Sequence, residues 1–257
     1  MNLDETPAEI AARSQMATAL QQLGHALVGH RVDIDLAHEV AAIARDLTAN
    51  VVARPTRDRT RELAANPRFA GILSGEPTKP IGVDGQPMDL FRDSIVSGRT
   101  NPMGIGLEVR RDGDAAVATT TLGPAFEGAP GRSHGGIVAS ILDETMGFVL
   151  PIIGELAYTA NLNIDYVGPA PLHRELRFTA MLRDRSGRKL WIEAHGESDE
   201  GVFVRAEALF LAAARGEVGL RAIDVALRGG ADPLPPEPEI QTRKSRAGDS
   251  RILVVGV

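Results

Sequence analysis

The feature that most constrains the fold is a nearly charge-free stretch, Ile137 to Leu150, interrupted only by Asp143 and Glu144 and followed at once by strand-like segments. An apolar run of this length, started by His134-Gly135-Gly136 and followed by Pro151, reads as one buried helix stopped by the proline. Beyond it Tyr158, Ala160, Leu162, Ile164 and Tyr166 alternate with Thr159, Asn161, Asn163 and Asp165, giving a strand with one apolar and one polar face. Three more strands are expected at 174–184, 188–197 and 202–213, the last two entered through Ser186-Gly187 and Glu200-Gly201. In 174–184, Leu176, Phe178, Ala180 and Leu182 share a face. Ahead of the helix, 105–111 and 115–122 flank Asp112-Gly113-Asp114 and read as a hairpin. A hairpin, one long helix and an antiparallel meander make an α+β chain in which a curled sheet wraps a central helix.

The preceding residues behave differently. Thr6-Pro7-Ala8-Glu9 is a capping box with proline at the first helical position, followed by Ile10, Ala17, Leu20, Leu23 and Leu27 at helical spacing. A second helix is expected from an N-cap at Asp35, with Leu36, Val40, Ile43, Leu47 and Val51 on one stripe as packing surface. Residues 66–100 read as a long connection, and the proline-rich segment from Gly216 as a loosely ordered tail. The division is 1–97 helical extension and connection, 98–214 main domain, and 215–257 tail.

A net charge of −6 argues against a nucleic-acid partner, because phosphate binding needs a basic surface. The lack of cysteine excludes disulfides, thiolate metal sites and a cysteine nucleophile. No His/Asp cluster has ligand spacing, so no metal or other cofactor is expected. The opening MNLDETPAEI has no apolar core and no apolar run approaches the roughly 18 residues of a bilayer span, so the chain reads as soluble and cytoplasmic.

The chemistry gathers around the helix. A helix that begins at Gly135-Gly136 offers unpaired backbone N–H groups and a positive dipole end to a ligand that can approach closely, which is how an oxyanion is held. Asp143 in an apolar helix must face a polar cavity or be bound, since an isolated buried carboxylate is costly. Glu144 reads as a solvated or interface carboxylate. His134 can orient the turn or help bind a carbonyl. Thr159 can position a water or the aspartate, and Asn161 and Asn163, read on the same face, are candidates for substrate contact. Gly131-Arg132-Ser133-His134-Gly135 also matches the G-x-S-x-G elbow that would make Ser133 a nucleophile. An elbow, however, follows a buried strand, and here a Gly- and Pro-containing loop precedes the serine.

The segment from Phe126 to Gly136, with Asp143 and then Thr159 to Tyr166, resembles the hotdog-fold acyl-CoA thioesterases of the PaaI type, and within them the thioesterase superfamily member 4 proteins. The resemblance covers roughly residues 98 to 213, including Asn101-Pro102-Met103-Gly104. It implies hydrolysis of an acyl-CoA thioester, with Asp143 as general base or nucleophile, the Gly135 or Gly136 amide as oxyanion donor and Thr159 beside the acid. It also implies that CoA lies across the sheet surface, which makes Arg185, Arg188 and Lys189 candidates for its phosphates. A non-catalytic acyl-CoA binding module of the same fold is the alternative. Gly135 and Asp143 are eight residues apart, roughly 12 Å along one helix, too far to act on one carbonyl. Together with the resemblance, this implies a homodimer, or a dimer of dimers, with each site shared between two chains.

Overall fold

A computed structural model describes residues 5–58, 62 and 79–212. The chain opens with α1 (Pro7–Gly29), where the Thr6 hydroxyl accepts from the Glu9 amide at 3.3 Å and the Glu9 carboxylate accepts from the Thr6 amide at 2.7 Å. The expected capping box is therefore formed. In α2 (Ile34–Val52) the cap is Asp33 rather than Asp35, because the Asp33 carboxylate accepts from the Leu36 amide at 2.9 Å. A capping side chain must precede the first turn, and Asp35 already lies within it. Among the described residues little covers the α2 stripe: none of the helix's residues is buried, and Ile43, Leu47 and Val51 are exposed.

The sheet contains β1 (Glu108–Asp112), β2 (Ala115–Thr121), β3 (Ala157–Tyr166), β4 (Glu175–Ser186), β5 (Lys189–Ser198) and β6 (Gly201–Ala212), in the order β1-β2-β4-β5-β6-β3. Every pairing is antiparallel. The β1–β2 and β4–β5 turns are two-residue loops whose first residue, Gly113 or Gly187, takes φ +57°. A side chain is disfavoured there, which explains glycine at both sites.

Between β2 and β3 runs the central helix. It forms two pieces, α3 (Gly135–Gly147) and the one-turn α4 (Val149–Ile152). The helix begins at Gly135, as the glycine turn implied, but the single helix expected to run on to Leu150 is corrected: it breaks at Phe148. Pro151 sits inside α4, where a first-turn residue needs no N–H partner. Together Gly135–Ile152 are long and apolar enough to cross a membrane by length and composition, contrary to the reading that no such run exists. Half of that stretch is buried inside the protein, as a core helix is.

Val138, Ile141, Leu142 and Met146 of α3 press onto Leu176, Phe178, Ala180, Leu190, Ile192 and Phe210 of the sheet. Each fully buried large apolar side chain contributes about 1.5–3 kcal/mol, so this layer fixes the height at which Asp143 sits over the strands. The connection also enters the core through Met88 and Val96. It runs along β1, where the Met88 amide donates to Val109 O at 2.8 Å and the Gly85 amide to Arg111 O at 2.9 Å. The β1 edge is covered in this way, whereas β3 pairs only with β6 and leaves its other edge open among the described residues.

Candidate active site

The site is organised by a bulge. Register along β3 shifts between Thr159 and Asn161, leaving Ala160 as the extra residue. A bulge reverses which side of the sheet the following residues face. Thr159 pairs with Phe210, on the helix side, while Asn161 pairs with Leu209 and Asn163 with Glu207, on the outer side. The expectation that Thr159, Asn161 and Asn163 share a face is therefore overturned. The two asparagines bond to each other at 2.8 Å, away from the acid.

Thr159, turned inward, donates its hydroxyl to Asp143 Oδ1 at 2.9 Å. Burial pushes the Asp143 carboxyl above its ordinary range, the Thr159 hydrogen bond works against that, and the neighbouring Glu144 charge adds to it. A half-buried carboxylate raised in this way is a better proton acceptor than a solvated one. Glu144, read as a solvated or interface carboxylate, is engaged within its own chain: it accepts from Ser94 Oγ at 2.7 Å and from Ser97 Oγ. Those serines lie in the connection about fifty residues upstream, and nothing in their local sequence announces the contact.

At the other end of α3, His134 is the N-cap, and its Nδ1 accepts from the Gly136 amide at 3.0 Å. Two consequences follow for the glycine turn. The Gly136 N–H is occupied within the chain, whereas the Gly135 N–H has no acceptor among the described residues and is exposed, as the first amide of a helix is. His134 orients the turn, one of the two roles read from the sequence. Tyr166, read only as the end of an apolar face, donates its hydroxyl to Gly135 O at 2.8 Å and packs its ring against Gly135. The signal available in the sequence was a second phenol closing an alternation that Tyr158 opens.

Ser133 is buried and its hydroxyl has no partner among the described residues. The imidazole of His134 is turned to Gly136, and no histidine meets the serine, so the elbow geometry is not formed. Across the sheet, Thr159, Phe210, Leu190 and Arg185 form one row over β3, β6, β5 and β4. This places Arg185 about 14 Å from Thr159 at strand spacing. Arg185 is tied to Glu155 at 2.5 Å and Arg188 donates to Ala212 O at 2.8 Å, while the Lys189 side chain is exposed. The three basic residues thus stand at the same end of the sheet as the acid, two of them already engaged. Among the described residues no group of three His, Asp or Glu could hold a metal ion.

A six-stranded sheet curled around one helix, carrying an acid at mid-helix and a glycine turn at its start, is the hotdog fold. A solved thioesterase superfamily protein superposes on 77% of this chain and 90% of its own with a TM-score of 0.62 at 23% identity. Residues 131–215 match the thioesterase superfamily family model. Over 88 residues the chain is 38% identical to acyl-coenzyme A thioesterase THEM4 of Mus musculus, and over 91 residues 30% identical to acyl-coenzyme A thioesterase THEM5 of Homo sapiens. These matches take in 34% and 35% of this chain and 38% and 37% of the relatives, so the chain spans under two-fifths of the length of these two curated relatives. The resemblance read from the glycine turn, Asp143 and the threonine strand is borne out by these likenesses.

Proposed function

We propose that this chain hydrolyses acyl-CoA thioesters to the free acid and CoA. The observation that carries the reading is the half-buried Asp143 carboxylate, raised by burial and held by Thr159, on the helix whose first amide, Gly135 N–H, is free and exposed. An amide at a helix N-terminus stabilises the oxyanion that develops on a thioester carbonyl, and a raised carboxylate takes the proton of the attacking water. The water oxygen then bonds to the carbonyl carbon, the C–S bond breaks, and CoA leaves as the thiolate that collects the proton. Lys189, at the same end of the sheet, is the basic side chain placed to meet CoA phosphates, with Arg185 and Arg188 beside it if their present partners release them.

Asp143 and Gly135 of one chain are too far apart to serve one carbonyl, and the open edge of β3 supports a dimer that resolves this. Thr159 and Tyr166 mark the two ends of β3, the first holding Asp143 and the second holding Gly135. Antiparallel pairing of two β3 strands about a two-fold axis near their middle brings the Thr159 end of one chain to the Tyr166 end of the other. Asp143 of one chain then faces the glycine turn of its partner, and two equivalent sites form.

The test is thiol release from a panel of acyl-CoAds differing in chain length and aromaticity, run on the wild type and on Asp143→Asn. The reading expects turnover of at least one substrate and a fall of about a hundredfold or more in the variant, the lower range for losing a general base. Binding of acyl-CoA without release of thiol from any member would instead identify a binding module.

A further inference from the structure

Helix α1 lies outside residues 131–215, the stretch that matches the thioesterase superfamily family model, yet it is built tightly against the loop that carries the glycine turn. Its His25 enters the short 3-10 turn Pro124–Phe126, where Nδ1 accepts from the Ala125 amide at 3.1 Å. The imidazole also meets the Phe126 ring edge-on, with centroids 4.9 Å apart. Two glycines make this approach possible. A Cβ on Gly123 would lie 2.8 Å from His25 Nδ1, and one on Gly29 would lie 3.0 Å from Pro124 Cγ. The first distance is shorter than real Cβ contacts and the second is tight enough that Pro124 would have to give way, so the glycine at Gly123 above all is what lets helix and turn touch.

The contact continues into the site. Phe126, the residue after the one His25 holds, accepts through its carbonyl from the His134 amide at 2.8 Å. His134 in turn caps α3 and accepts from the Gly136 amide. The path from α1 to the oxyanion turn is therefore His25, Ala125 and Phe126, His134, Gly135 and Gly136, each step a hydrogen bond or a peptide link. An Nδ1 that accepts must carry no proton, and burial together with the nearby His173 charge holds His25 below the ordinary histidine range.

We propose that α1 is a brace for the glycine turn, with His25 as a positioning residue that sets the turn through Ala125 and Phe126. The inference deepens the thioesterase reading and rests on it for its kinetic consequence. A positioning role differs from a packing role in what it changes: it alters the rate at the bound substrate rather than the affinity or the global stability.

Two variants separate the hydrogen bond from the ring. His25→Phe keeps an aromatic ring against Phe126 and loses the acceptor, while His25→Asn keeps an acceptor the same number of bonds from Cβ. Three quantities are measured on the full chain: kcat and KM for a turned-over acyl-CoA, Tm, and amide hydrogen exchange of the peptide spanning 126–137. The brace expects His25→Phe to lower kcat about fivefold, the worth of one net hydrogen bond, with KM within about twofold of wild type. Exchange in that peptide should be faster, and His25→Asn should restore both. Wild-type kcat and exchange in His25→Phe overturn the proposal, as does an equal loss in the Asn variant or a fall in Tm with kcat unchanged. If the wild type releases no thiol from any acyl-CoA, the thioesterase reading fails, and the brace is judged by exchange alone, where unchanged protection refutes it.

Discussion

Replacing Thr159 by valine removes one hydrogen bond from Asp143 and leaves a β-branched side chain of similar shape on β3. Three influences act on the acid: burial raises its pKa, the Thr159 hydroxyl lowers it, and the Glu144 charge raises it. Without the hydroxyl only the raising influences remain. A hydrogen bond to a charged group is worth about 1.5–3 kcal/mol, and because Asp143 is only half-buried the lower end applies. At about 1.4 kcal/mol per pH unit, the Asp143 pKa should climb by roughly one unit. The proposed general base acts only when deprotonated, so kcat/KM should rise with pH as Asp143 loses its proton. Thr159→Val should therefore move that rising limb about one unit toward higher pH. On the limb the variant should be up to about tenfold slower than wild type, with the two converging at high pH. The assay is kcat/KM for one acyl-CoA across the acid and neutral range. A limb that stays in place, or moves to lower pH, would refute the role given to the Thr159–Asp143 contact.

Ser133→Ala should keep most of the proposed thioesterase activity and all of the stability, because the hydroxyl is buried without a partner among the described residues; loss of activity with an acyl-serine seen by mass spectrometry would revive the nucleophile elbow. Asp93 accepts from Arg57, Thr100 and Arg13, and although burial opposes its charge these contacts hold its carboxyl at about 2. Asp93→Asn should then cost on the order of 1 kcal/mol in denaturant unfolding at neutral pH, after allowance for solvent screening. A depressed carboxyl contributes above its unfolded value of 3.8 and loses its contribution as pH falls toward about 2, so wild type and variant should converge in acid. Asp143→Asn should raise Tm at neutral pH, since a raised carboxyl costs stability when ionised, and the gain should disappear as pH falls through the folded pKa toward the unfolded value. An Asn variant less stable than wild type at neutral pH would contradict the direction of that shift.

Much of this arrangement was legible in residue order. The capping box at Thr6, the glycine turns at Gly113 and Gly187, and the alternation of Leu176, Phe178, Ala180 and Leu182 are local signals, and each forms as read. The pairing of Thr159 with Asp143 was also within reach, because a helix acid and the next strand are close in any sheet wrapped around that helix. What escaped is set by register and by distant partners. A bulge at Ala160 has no signature in an alternation that continues unbroken through it, so the two asparagines were assigned to the wrong face. Glu144 is fixed by serines about fifty residues away, and His25 reaches a turn one hundred residues downstream. Spacing rules describe one element at a time and carry no information about such contacts.

The most direct test of the shared site mixes two inactive subunits. Asp143→Asn removes the acid, and Gly135→Pro removes the free N–H at the first position of α3, where proline is tolerated and the preceding His134 is already extended. Each variant alone should be nearly inactive while folded. Unfolded together and refolded as a mixture, they should form heterodimers in which one site holds both an intact acid and an intact glycine turn, with thiol release returning in proportion to the heterodimer present. Heterodimers without activity, or a wild type that turns over acyl-CoA as a monomer, would contradict the claim that Asp143 of one chain works with Gly135 of the other.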